Sequence, residues 1–186
     1  QLMLAAPKDP NRLHNLNEWW IERRLLSRKM LDVGEHRNAY LIARDAALPS
    51  RDIYKTEQEF TAGWIALRFL NDPATAAQHF ARIGVGSVNP TALARAGYWL
   101  GRTLEALNQA SGAREKYASA ARYIDTFHGQ LAQQKLDAKR AAELAHRVGA
   151  KLLLDGCQAA PRLPVDVAAI VSRELGLSEL TSRRQR

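Results

Sequence analysis

Side chains that could carry out acid–base or metal chemistry are few and scattered in this sequence. The five histidines are His14, His36, His79, His128 and His146. No two of them lie four residues apart, as a His-Glu-x-x-His zinc site requires, and no glycine-rich phosphate loop is present. The single cysteine, Cys157, excludes an internal disulfide and a multi-thiolate metal site. We therefore expect surface or capping roles for the histidines, and we predict no catalytic, cofactor-binding or metal site.

The aromatic residues are more informative, because aromatic faces pack well against the C–H groups of sugar rings. Those that could line a carbohydrate or peptide groove are Trp19, Trp20, Trp64, Tyr98, Trp99, Tyr117 and Tyr123. Core packing is the alternative, and we prefer it for Trp64 and Tyr98, which match each other within an internal repeat. Adjacent helical residues point about 100° apart. Only one of Trp19 and Trp20 therefore needs to lie in a core.

Composition and charge narrow the class of protein. A chain of 186 residues, 46% hydrophobic and 25% charged, fits one folded domain. Its formal net charge is +8, of which residues 94–186 carry +6 (15 basic and 9 acidic side chains). This excess suggests an anionic partner such as a membrane surface or an acidic wall polymer, but we prefer the alternative, a solvated arginine-rich surface. Nucleic-acid binding would rest on charge alone, and we do not predict it. No run approaches the roughly 20 apolar residues of a membrane span.

The residue pattern predicts an all-α fold. Thirty-one alanines favour helix, and no two-residue alternation persists anywhere. The first helix runs from an N-cap at Asn17 to a stop at Gly34. Asp72 and Pro73 are predicted to begin the fourth, since proline is favourable at a first helical position. The other predicted helices span 39–47, 54–70, 91–107 and 110–125, with the fourth at 74–83.

The helices repeat. Ala62-Gly63-Trp64 through Leu70 matches Ala96-Gly97-Tyr98 through Leu104 at an offset of 34 residues, and the partner helices align as Phe80 with Tyr117 at an offset of 37. An earlier pair at 20–31 and 37–47 fits more loosely. A period near 34 with this pattern is typical of tetratricopeptide-like repeats. It predicts a superhelix of stacked antiparallel helix pairs that share one core.

Several motifs together resemble one protein family. These are Asn17-Glu-Trp-Trp-Ile-Glu-Arg-Arg, Glu59-Phe-Thr-Ala-Gly-Trp, Ala94-Arg-Ala-Gly-Tyr-Trp-Leu-Gly-Arg and Phe127-His-Gly-Gln-Leu-Ala. They are similar to the helical N-terminal region of soluble lytic murein transglycosylases over residues 15–135. The resemblance implies a periplasmic protein and a superhelical ring or arc, against which a lysozyme-like domain cleaves the glycan strands of peptidoglycan.

The sequence departs from that family in its chemistry. The family's catalytic glutamate stands in a Glu-Ser motif, and none of the ten glutamates here is followed by serine. We therefore predict a scaffold that is inactive alone and positions peptidoglycan strands or the missing catalytic domain. The predicted contact residues are Trp19, Trp20, Arg23, Arg24 and the Phe127–Gln130 turn, including His128 and Gln130. Packing and capping are the alternative roles for each.

A second interpretation of the function stays open. The repeats fit equally a protein-interaction module that binds a peptide or partner protein in its concave groove.

The sequence also predicts how the chain is divided. Residues 1–15 are predicted to be a linker or tail, 16–136 the scaffold, and 137–186 further helices with a basic C-terminal tail. The start at Gln1 lacks a methionine and a complete signal peptide. We expect a fragment of a larger enzyme or a truncated relative.

Overall fold

The described part of the protein is entirely helical. The computed structural model describes residue 3 and residues 7–147, and no strand occurs among them. A single 3-10 turn, Pro10–Arg12, precedes the α-helices. The seven α-helices are α1 (Leu16–Asp32), α2 (His36–Arg44), α3 (Asp52–Arg68), α4 (Pro73–Gly84), α5 (Pro90–Ala106), α6 (Ala110–Ala121) and α7 (Phe127–Arg147). The prediction of an all-α fold is confirmed for the residues that the structure describes.

Short polar side chains cap the starts of α1, α4 and α5, and one of these caps corrects a prediction. The N-cap of α1 is Asn15, whose side chain accepts a hydrogen bond from the Glu18 backbone N–H, and not the predicted Asn17. The Asn17 side chain instead donates a hydrogen bond to the Ser50 hydroxyl, in the segment that connects α2 to α3. The predicted Asp72-Pro73 start is confirmed: the Asp72 carboxylate accepts from the Thr75 N–H at 3.0 Å. Asp72 thereby supplies an acceptor to one of the four amides that a helix start leaves free.

The turns within successive helix pairs share one conformation. Gly34, Asn71 and Asn108 have φ values of +81°, +51° and +58°, and they follow α1, α3 and α5 at 37-residue intervals. Glycine and asparagine are the residues that tolerate this left-handed region best. After Gly34 and Asn108, the next N–H bonds back to a carbonyl five residues earlier, which closes the helix as in a Schellman motif. The structure is therefore repeat-like.

Helices pack in chain order. Each helix from α1 to α5 contacts the next one, and smaller contacts join α1 to α3 and α3 to α5. One core cluster, which includes Trp20, Tyr40, Ile65 and Phe80, draws on α1 to α5. A second cluster collects around Tyr98 and the residues of α6 and α7. Small residues bring these helices close together.

Glycine permits the tightest approach between helices. A Cβ at Gly63 would lie 2.9 Å from the Phe80 ring, and one at Gly101 would lie 2.6 Å from the Tyr117 ring. The aligned aromatic residues Phe80 and Tyr117 therefore both pack against a glycine of the preceding helix. Both are buried. The matched residues of the repeat are thus interhelical contacts.

Two segments differ from their predictions as a tail (residues 1–15) and as a turn (Phe127–Gln130). Lys8 forms an ion pair with Asp45 at 2.9 Å, and the Met3 carbonyl accepts a hydrogen bond from Arg23 at 3.0 Å. The segment predicted as the Phe127–Gln130 turn is the first turn of α7. The Thr126 hydroxyl accepts a hydrogen bond from the Gly129 N–H there and so caps the start of the helix.

The chain divides after Leu136 into two units, 1–136 and 137–186. Within the second unit, α7 continues to Arg147. The predictions for Cys157, for a short helix at 165–175 and for a basic C-terminal tail lie outside the described residues. Among the described helices, each one is too short or too polar to cross a membrane.

Candidate functional site

A groove with a volume of about 620 Å³ opens between α1, α3 and α5. Helix α1 contributes residues of its C-terminal half, α3 contributes its central turns, and α5 contributes one arginine. The lining residues combine aromatic rings, three arginines and two acids: Arg24, Arg28, Leu31, Asp32, Glu57, Phe60, Thr61, Trp64, Phe69 and Arg95. All of them lie within the unit 1–136.

The aromatic part of the groove lies on α3 and the turn that follows it. The rings of Trp64 and Phe69 meet edge to face with their centroids 5.2 Å apart, and both are half-buried. Phe60 lies one turn before Trp64 and contacts Trp99 with centroids 6.0 Å apart. These rings give the groove an apolar surface suited to the C–H face of a sugar ring or to an apolar side chain.

Glu57 fixes one end of the groove. Its carboxylate accepts hydrogen bonds from Arg24 Nη1 at 2.8 and 2.9 Å, and a longer one of 3.3 Å from the indole N–H of Trp20. The ion pair joins α1 to α3 and is about three-quarters buried. Arg24 Nε nevertheless has no hydrogen-bond partner among the described residues. The groove thus holds a fixed charge pair with one donor still unused.

Arg95 is a half-buried cation of the groove. Its guanidinium carbon lies 4.6 Å from the centroid of the Phe60 ring, a cation–π contact. Its Nε is buried, and no described residue accepts a hydrogen bond from it. Burial lowers the pKa of Arg95, and the charge of Glu57 opposes this effect. A partly desolvated guanidinium with unused donors is a receptor for an anion.

The predicted contact residues on α1 divide between the interior and the groove. Trp20 and Arg23 are fully buried, so their burial removes them from any surface that a partner could touch. Arg23 Nε donates to the Ile42 carbonyl at 2.8 Å, one of the carbonyls that the end of α2 leaves free. Trp19 is half-buried beside them. Arg24 alone of the four lines the groove.

The predicted contact residues on α7 lie in its first turn. Phe127 and Gln130 are exposed, with 69% of Phe127 accessible. His128 is half-buried, and its Nε2 accepts the indole N–H of Trp99 at 3.3 Å. Burial, helped by the nearby charge of Arg95, lowers the pKa of His128 to about 4. His128 is therefore neutral at pH 7 and adjoins the groove through Arg95 and Trp99.

His79 corrects the expectation that all histidines have surface or capping roles. It is buried between α2 and α3, with Tyr40 Oη 3.0 Å from its Nε2 and a Glu59 carboxylate oxygen 2.7 Å from its Nδ1. With the proton on Nδ1, the ring donates to Glu59 and accepts from the Tyr40 hydroxyl. Arg82 also donates to Glu59 at 3.2 Å. This network satisfies buried polar groups, and in the described region no cluster of His, Cys, Asp or Glu could hold a metal ion.

Of the ten lining residues, only Arg24 was among the predicted contact residues, and those that sequence reasoning missed include Glu57, Phe60, Trp64 and Arg95. Core packing was predicted for Trp64 and Tyr98 alike, and it is confirmed for Tyr98, which is buried among Trp99, Tyr117 and His128. Trp64 is half-buried: it packs against the first core cluster and also meets Phe69 at the groove. Within the sequence, the only signal for Arg95 was its place in the Ala94-Arg-Ala-Gly-Tyr-Trp motif.

Comparison with protein-family models, with curated proteins and with solved structures finds no match for this chain. The groove and the sequence motifs are therefore the features that bear on the function of this chain.

Proposed function

We propose that this chain is a non-catalytic helical scaffold that holds a peptidoglycan strand in the groove between α1, α3 and α5. The scaffold would be the superhelical region of a periplasmic lytic murein transglycosylase, which the Asn17, Glu59, Ala94 and Phe127 motifs resemble. The packing of α1 to α6 in chain order supports a stack of helix pairs. The repeated left-handed residues between paired helices support it too.

The observation that carries the proposal is the juxtaposition of rings and unused cations in one groove. Trp64 and Phe69 offer an apolar surface, and Arg95 offers a guanidinium without a hydrogen-bonded partner in the described region. Peptidoglycan matches both parts, because its sugar rings carry apolar C–H faces and its peptide stems carry carboxylates. Neither a purely apolar peptide nor a polyanion without rings would use both surfaces.

The proposed role is binding, without cleavage of the glycan. The chain has no Glu-Ser motif, and in the groove the Glu57 carboxylate is engaged by Arg24 and Trp20. A general acid must instead be free to give its proton to the glycosidic oxygen. Release of anhydro-muropeptides from cell walls by the purified chain would contradict this role.

Co-sedimentation with purified, insoluble peptidoglycan sacculi tests the proposal. We expect the chain to pellet with sacculi at low and at moderate salt, because ring packing survives the screening of charges. Trp64→Ala should weaken this binding about tenfold, an estimate from the value of an aromatic contact. Phe127→Ala is the matched control, since it removes an exposed ring outside the groove. If the wild-type chain pellets with sacculi at neither salt concentration, the proposal is overturned.

A second candidate is a protein-interaction module that docks a partner domain, such as the missing lysozyme-like domain. The exposure of Ile124 and Phe127, at 47% and 69%, favours it, because both apolar side chains flank the start of α7. If Phe127→Ala abolishes a measured interaction with a separately purified catalytic domain while Trp64→Ala does not, the second candidate replaces the first. Absence of any interaction between the two purified proteins would exclude it.

A further inference from the structure

Arg95 lacks the partner that its burial calls for. It lies in α5 against Phe60, half-buried, and its Nε is enclosed without a hydrogen-bond acceptor in the described part of the chain. Arg23 and Arg24 each have one unpartnered buried nitrogen as well, but Arg23 also donates to two backbone carbonyls and Arg24 also donates to Glu57. Withdrawing a guanidinium from water without such acceptors is unfavourable. An anion that accepts its hydrogen bonds offsets this cost.

The charges around the groove leave room for one anion. Three arginines, Arg24, Arg28 and Arg95, stand against the two acids Asp32 and Glu57, so the lining carries a formal charge of +1. Glu57 is bound to Arg24 and reaches Arg95 only as a nearby charge. A monoanion would therefore balance the groove, whereas a polyanion would place excess negative charge beside Glu57.

We propose that Arg95 is the receptor for a carboxylate of a stem peptide, and that the groove thereby selects peptide-bearing strands over bare glycan. This inference rests on the proposed function, because it names the part of the strand that the groove recognises. A guanidinium presents parallel N–H donors that match the two oxygens of a carboxylate. Trp64 and Phe69 then contact the sugar or the apolar stem residues.

The experiment compares two forms of one ligand. Soluble, uncross-linked glycan strands are prepared with their stem peptides. In parallel, an amidase removes the stems, and the lactyl carboxylates that this cleavage leaves on the glycan are converted to amides. Affinities of the full chain for both are measured by titration calorimetry or fluorescence. We expect wild type to bind the peptide-bearing strand at least about tenfold more tightly, the value of one charge-assisted hydrogen bond. Arg95→Gln should abolish this preference, because neither strand then finds a guanidinium at this position.

The control is Arg68→Gln, which removes an exposed arginine at the end of α3 outside the groove lining. It should keep the full preference. Circular dichroism establishes that each variant folds. If Arg95→Gln fails to fold, Arg95→Lys retains the charge and removes the paired donors, and it should lose most of the preference.

The outcomes separate this inference from the proposed function. Equal affinity of wild type for both strands would overturn the role of the carboxylate and leave the scaffold proposal standing. A preference that survives in Arg95→Gln would overturn the role of Arg95. Binding of neither strand would overturn the proposed function, and the inference with it.

Discussion

The guanidinium of Arg95 lies over the ring of Phe60, 4.6 Å from its centroid. Arg95 thereby stands between the two sets of predicted contact residues, on α1 and in the first turn of α7. On one side, Arg95 feels the charge of Glu57, which is bound to Arg24 on α1. On the other side, its charge acts on His128 in the first turn of α7. The charge of Arg95 therefore acts both in the groove and at the start of α7, within residues 1–136.

Glu57 competes with any anionic ligand for the arginines of the groove. Glu57→Gln should strengthen binding of peptide-bearing strands severalfold at low salt, because it removes the negative charge closest to Arg24 and Arg95. It should also cost about 1 kcal/mol of stability, since a part-buried ion pair is lost. Titration at two salt concentrations measures the first effect, and urea unfolding measures the second.

Glu115→Gln is the matched control, because it changes the net charge equally on an exposed side chain of α6. If both variants strengthen binding to the same extent, the effect belongs to overall charge and not to the groove.

His128 should make the stability depend on pH. Its pKa is about 4 in the folded chain and about 6.5 when exposed, so the unfolded state takes up a proton first as the pH falls. The free energy of unfolding should therefore be constant above pH 6.5 with respect to this group and decrease between pH 6.5 and 4. With allowance for the partial exposure of His128, the loss is about 1–2 kcal/mol.

His128→Gln should flatten that decrease, because the amide oxygen can accept the Trp99 N–H without titrating. Denaturant unfolding at pH 7, 5.5 and 4.5 measures the difference between the two proteins. An identical pH profile for wild type and variant would contradict the assignment.

Arg23 is expected to stabilise the fold without taking part in binding. Its guanidinium donates to the carbonyls of Ile42 and Met3. Arg23→Met keeps much of the side-chain volume but leaves these acceptors unpaired, so we expect a loss of about 2 kcal/mol. Affinity for peptidoglycan strands, corrected for the folded fraction, should be unchanged. A large drop in affinity of fully folded Arg23→Met would show a contact that the structure does not contain.

Gly129 should tolerate no side chain. A Cβ there would overlap the Tyr123 carbonyl oxygen, a backbone atom that cannot move aside without opening the α6–α7 turn. We expect Gly129→Ala to lower the free energy of unfolding by about 3 kcal/mol. Gly112→Ala is the control, because its nearest contact is the flexible Leu104 side chain at 3.4 Å and alanine favours helix by up to about 1 kcal/mol. Urea unfolding of both variants should give effects of different size, and equal small effects would contradict the prediction.

Local patterns in the sequence were enough to predict the helices, because apolar periodicity and helix breakers act over a few residues. The Asp72-Pro73 start and the Gly34 stop were predicted on that basis. The N-cap of α1 was misplaced by two residues, since Asn15 and Asn17 satisfy the same local rule and only the contact of Asn17 with Ser50 distinguishes them. The 37-residue spacing of Gly34, Asn71 and Asn108 was present in the sequence and was not used.

The groove could be predicted only in small part, because it depends on which residues from distant helices meet. Arg23 and Arg24 are neighbours of the same type, yet one bonds to α2 inside the core and the other bonds to Glu57 at the groove. Trp64 and Tyr98 occupy matched positions of the repeat, yet only Tyr98 is covered by α6 and α7. Such differences arise from the position of a repeat in the stack and leave no trace in the local pattern.

The location of the ligand is the most direct test of the groove. Backbone amide NMR spectra of the isotope-labelled chain would be recorded while soluble, peptide-bearing glycan strands are added. The largest shift changes are predicted for amides around Arg28, Trp64 and Arg95, with little change at Gln130 in the first turn of α7. Shift changes centred on Phe127–Gln130, or none at saturating strand, would contradict the account.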